Sequence, residues 1–84
     1  MTDPTKQSQT ADILRYLRAG ESLTAMDALN MFGCWNLKGR IWDVKKLLEP
    51  NEQIQRQWVK TESGKRVARY SLIIVNLILA FVKF

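Results

Sequence analysis

The 84-residue sequence contains no histidine and a single cysteine, Cys34. Without an imidazole there is no base for a histidine-dependent catalytic triad, and one thiol can form neither a zinc-finger ligand set nor an intramolecular disulfide. A chain of this length builds one small core and leaves little room for a sizeable enzyme cleft. No enzymatic activity, cofactor or metal is expected. Cys34 falls at a turn, where a small, weakly apolar side chain packs easily, and it reads as a structural residue. The lack of disulfides suits the cytoplasm. Residues 1–9 are polar and lack the apolar stretch and cleavage site of a secretory signal, so secretion is not expected and the segment reads as a flexible leader.

Hydrophobic residues make up 46% of the chain and charged residues 25%, a globular composition with a net charge of +5. The charge is divided unevenly. Residues 1–33 carry three basic and four acidic side chains, whereas residues 34–84 carry ten basic and four acidic. All of the positive excess therefore lies in the second part of the chain, as expected of a surface that displaces counterions from phosphate. A solvated basic face is the plainer reading of the same numbers.

From about Thr10 to Ala19, Ile13, Leu14 and Leu17 recur at helical spacing, and Gly20 follows as a helix terminator. Thr24, with Asp27 three residues on, is a variant capping box that starts a second helix, with Leu23 as a staple residue. Met26, Leu29 and Phe32 can face inward before Gly33 ends it. A third helix is expected from Trp35 or Asn36 to Leu48, with Leu37, Ile41, Val44 and Leu48 on its core face. Trp35, Lys38, Gly39, Trp42, Asp43 and Lys46 fall on the opposite side, a mixed polar and aromatic face that is the candidate for the DNA major groove.

Individual residues of this helix carry competing readings. Gly39 costs on the order of 1 kcal/mol in a helix interior, and close approach to DNA, tight packing against another backbone or simple tolerance would each explain it. Trp42 could contact DNA or fold back beneath the following hairpin, the packing role being preferred, while Trp35 is assigned to solvent or DNA. Lys38, Arg40, Lys45 and Lys46 would serve phosphates or base edges. Arg40 could equally pair with Asp43 at i,i+3.

After Glu49 and Pro50, the runs Ile54 to Thr61 and Arg66 to Leu72 are β-prone and separated by a turn in which Gly64 can take positive φ. Trp58, Val59, Val67, Tyr70 and Leu72 would hold this hairpin on the helices. Lys60, Lys65, Arg66 and Arg69 give its tip and edge the charge needed to rest on a phosphate backbone. Edge-strand cations that merely discourage aggregation are the competing explanation.

The segments Ile13-Leu14-Arg15-Tyr16-Leu17, Ser22-Leu23-Thr24-Ala25-Met26-Asp27-Ala28-Leu29, Phe32-Gly33-Cys34, Arg40-Ile41-Trp42-Asp43-Val44, Trp58-Val59 and Gly64-Lys65-Arg66-Val67-Ala68-Arg69-Tyr70 resemble the small winged helix-turn-helix domains of bacteriophages and prophages. The resemblance spans about three quarters of the chain and implies an α+β fold, a three-helix helix-turn-helix core with a C-terminal β-hairpin wing. It further implies double-stranded DNA as partner in the cytoplasm of a bacterial host, with a role as transcriptional regulator or excision-type architectural factor. The expected interface is Trp35, Asn36, Lys38, Gly39, Arg40, Trp42, Lys45 and Lys46 from the third helix with Lys60, Lys65, Arg66 and Arg69 from the hairpin. The rival is a protein–protein adaptor that keeps the fold but uses the Trp35/Trp42 face and an apolar tail.

That tail, residues 73–84, is apolar except for Asn76 and Lys83. It is shorter than the roughly 20 residues a membrane-spanning helix needs and lacks the polar face of an interfacial anchor. A packed C-terminal element, a homodimerisation element and a membrane anchor all remain open, and homodimerisation is preferred because so dense an apolar segment would otherwise form an unusually large exposed patch. The expected organisation is thus a leader over 1–9, a DNA-binding domain over 10–72 and the tail.

Overall fold

The computed structural model describes residues 4–75. Its elements are helix α1 (Pro4–Arg18), strand β1 (Ser22–Thr24), helix α2 (Ala25–Phe32), helix α3 (Leu37–Lys45) and strands β2 (Glu52–Lys60) and β3 (Arg66–Ile74). The strands form an antiparallel sheet in the order β1-β3-β2. This is the expected α+β arrangement of three helices with a C-terminal hairpin, joined by a short strand that the sequence did not announce.

Helix α1 begins at Pro4, so residues 4–9 are helical where the leader was expected. Gln9 anchors this early part: its side-chain amide donates to the Gly33 carbonyl at 3.2 Å, tying α1 to the turn after α2. Helix α2 starts as the sequence indicates, with a complete capping box. The Asp27 N–H donates to the Thr24 hydroxyl at 3.2 Å, and the Thr24 N–H donates to the Asp27 carboxylate at 3.1 Å. At its other end Gly33 adopts φ 64°, a left-handed conformation cheap only for glycine, and donates its N–H to the Leu29 carbonyl at 3.0 Å.

The core is built from Ile13, Leu14 and Leu17 of α1, Leu23 of β1, Ala28 of α2, Cys34 of the turn, and Leu37, Ile41 and Val44 of α3. Leu48, Ile54, Tyr70 and Leu72 pack around it. Met26 departs from expectation and is 63% exposed. With Ala28 turned inward, a residue two positions earlier points to the far side of the helix at 100° per residue. Trp58 is also exposed rather than packed on the helices, because it lies beyond Ile54 and Tyr70 along the hairpin, past the last core contact.

The root of the hairpin is fixed to α1 by a bidentate pair. Arg18 donates from Nε and Nη2 to the Glu52 carboxylate at 2.9 and 2.8 Å, and the Glu49 N–H adds a third bond at 2.8 Å. The Arg18 bonds first, and the Glu49 amide second, hold the Glu52 carboxyl below its ordinary value. Strand β3 runs two residues into the expected tail and ends where the Val75 N–H donates to the Asn51 carbonyl at 2.7 Å. The remainder of the tail, residues 76–84, lies outside the described residues.

Candidate nucleic-acid interface

Helix α3 owes its orientation to one buried stripe, Leu37, Ile41 and Val44. Burying that stripe turns Lys38, Trp42 and Lys45 outward, with Trp35 and Asn36 at the helix entrance and Lys46 at its end. Trp35 is 86% exposed and Trp42 66% exposed. Trp42 therefore does not fold beneath the hairpin; Lys46 lies 5.9 Å from the centre of its ring.

Asn36 and Gly39 form one local device. The Asn36 side chain caps α3 by accepting from the Gly39 N–H at 3.1 Å, and a Cβ at position 39 would stand 2.5 Å from Asn36 Nδ2. The close approach that glycine permits is thus to the helix's own cap. Replacing a helical glycine by alanine ordinarily gains on the order of 1 kcal/mol, and losing an Asn cap costs about the same. Gly39→Ala is accordingly expected to give no net gain in thermal unfolding; a full stabilisation of about 1 kcal/mol would show that the cap does not need this space.

Arg40 does not join the outward face. It is 8% exposed, and its guanidinium pairs with Asp43 at 3.2 Å. The same Asp43 lies 3.9 Å from Lys46, so the one acid of α3 is already engaged by cations of its own helix.

The hairpin supplies the second wall. Tyr70 is opposed by Leu23 on one side and Arg56 on the other, and Leu23 is fully buried beneath the helices. Directly opposed residues of an antiparallel sheet share a face and successive residues alternate. Arg56, Trp58 and Lys60 of β2 therefore line the helix-facing side together with Arg66, Ala68 and Tyr70 of β3. Arg69 pairs with Thr24 and Gln57 and projects from the opposite side, away from α3. Lys65 sits in the tip, where Gly64 at φ 85° allows the chain to reverse and the Thr61 N–H donates to the Lys65 carbonyl at 2.8 Å.

Between the walls runs a groove of about 440 Å³ lined by Lys38, Ile41, Trp42 and Lys45 of α3 and Ile54, Arg56 and Tyr70 of the hairpin. A second depression of about 230 Å³ continues past Lys38 and Tyr70 toward Trp35, Val67 and Ala68. Helix and hairpin thus form one continuous concave surface that is cationic and aromatic. Arg56 lines the groove and Trp58 stands on the same face of the sheet nearer the hairpin tip, whereas the sequence pattern points to no role for the first and to packing for the second. Their signal was the period of two that links residues 56, 58 and 60. Arg56 and Arg66 approach the Trp58 ring centre to 5.4 and 5.9 Å. Among the described residues, no group of three or more His, Cys, Asp or Glu side chains could hold a metal ion, and no helix is long and apolar enough to cross a membrane.

A protein-family model described as a winged helix-turn-helix domain matches residues 8–75. No curated protein and no solved structure matches the chain.

Proposed function

Because the chain belongs to the winged helix-turn-helix family, we propose that it binds double-stranded DNA without catalysing a reaction, placing α3 in the major groove and the β2–β3 hairpin on the flanking backbone. The observation that carries this reading is the continuity of the surface: Lys38 and Lys45 of α3 and Arg56 of β2 line one groove. Lys60, Lys65 and Arg66 extend its charge toward the hairpin tip. The resemblance to phage domains supports a role as transcriptional regulator or excision-type architectural factor in a bacterial cytoplasm. The apolar composition of residues 73–84 supports a homodimer that would read two half-sites.

The test is fluorescence anisotropy of a labelled random-sequence duplex at several salt concentrations. Each phosphate neutralised contributes about −0.9 to the slope of log K against log salt, so a slope of about −3 or steeper is expected from this number of clustered cations. Absence of binding at low salt would overturn the proposal and turn the search to a protein partner for the aromatic face. Arg40→Met probes the assignment of residues within the surface. Asp43, whose side chain is 37% exposed, keeps Lys46 at 3.9 Å as a partner when Arg40 is removed, and duplex affinity should stay within about twofold, because Arg40 is committed to Asp43.

A further inference from the structure

Three tryptophans stand out of the cationic face, with Trp35 86%, Trp42 66% and Trp58 55% exposed. Tryptophan is among the more deeply buried residues of folded proteins, and each ring left in water forgoes much of its burial energy. A paired duplex offers a flat ring little in return, since its grooves expose base edges that Arg, Lys, Asn and Gln read by hydrogen bonding. Bases that have left the stack are different: their faces are free, and they stack on aromatic side chains while cations follow the phosphates.

The surface has the parts for that mode of binding. Trp58 is opposed across the hairpin by the small Ala68, so that from β3 it is the Arg66 guanidinium that approaches the ring. The contacts of Arg56 and Arg66 with the ring are of the exposed kind, weak enough for a base to displace a guanidinium that then takes a phosphate. Trp42 stands beside Lys38, Lys45 and Arg56 on the main groove, and Trp35 stands at its continuation. The geometry points to DNA carrying an unpaired stretch as the preferred ligand, with bases stacked on Trp58, Trp42 and Trp35. This inference rests on the DNA-binding reading above and specifies the form of DNA.

The experiment compares three labelled probes with the full chain at fixed salt: a blunt duplex, the same duplex with an oligothymidine overhang, and the same duplex with an abasic overhang of equal length. The two overhangs carry identical phosphates and differ only in bases. The thymidine overhang is expected to bind about tenfold tighter than the abasic one, with quenching of tryptophan emission. Trp58→Ala should bring that ratio down several-fold, and Trp58→Phe should restore a good part of it, a pattern that a merely structural role would not produce. Equal affinity for the two overhangs, or a ratio unaltered by replacing all three tryptophans with alanine, would overturn the inference and leave duplex binding standing. Failure to bind any of the three probes would overturn both.

Discussion

Leu23→Ala is expected to destabilise the protein by about 2–5 kcal/mol, the range for removing a large aliphatic side chain from a core that relaxes only partly. For a domain of this size that is a large share of the total stability, of order 0.1 kcal/mol per residue. Leu23 is fully buried, yet it belongs to a strand of only three residues whose pairing with Tyr70 is one of the links between the helices and the hairpin. The loss should appear as a lower urea midpoint in far-UV circular dichroism. Tryptophan emission is the weaker probe, because all three rings are exposed in the folded state. A loss below about 1 kcal/mol would mean that this strand is not docked as described.

The largest effect on binding is expected from replacing Lys38, Lys45 and Arg56 together by alanine. These residues line one groove from two elements. Losing three phosphate contacts should lower duplex affinity by about two to three orders of magnitude near 0.1 M salt and flatten the salt slope by about three units. Arg69→Ala provides the contrast. It removes the same charge from the opposite face of the sheet, and its effect should be confined to the weak, screened influence of a distant cation. Equal losses from Arg69→Ala and from Arg56→Ala would mean that net charge, not this face, governs binding.

Much of this architecture was legible in the sequence because it rests on local rules. The Thr24–Asp27 capping box, the left-handed Gly33 and the Leu37/Ile41/Val44 stripe each depend on residues within a turn or two of one another, and the structure realises all three. The remaining features depend on distant partners. Strand β1 is too short to display alternation and exists because β3 offers it an edge. Arg18 and Glu52 meet only when the hairpin root reaches the end of α1. The cap that Asn36 gives to α3 and the clearance Gly39 leaves for it are visible only in three dimensions. The hairpin residues divide between two faces according to register. That division admits Arg56 and Trp58 to the concave surface and sends Arg69 to the other side, a distinction that counting charges cannot make.

The pairing of Leu23 with Tyr70 also governs the order in which the molecule can be assembled. Helices α2 and α3 have eight and nine residues, shorter than the roughly 12–15 at which an isolated helix becomes even marginally stable in water. They pack on a core that Ile54, Tyr70 and Leu72 of the hairpin complete, and the last two lie near the far end of the described chain. A nascent polypeptide leaving the ribosome would therefore carry α2 and α3 without their full packing until β3 has emerged. Folding should then proceed as one late, cooperative event, so that fragments ending before Tyr70 offer proteases an open chain and present nucleic acid with no formed surface.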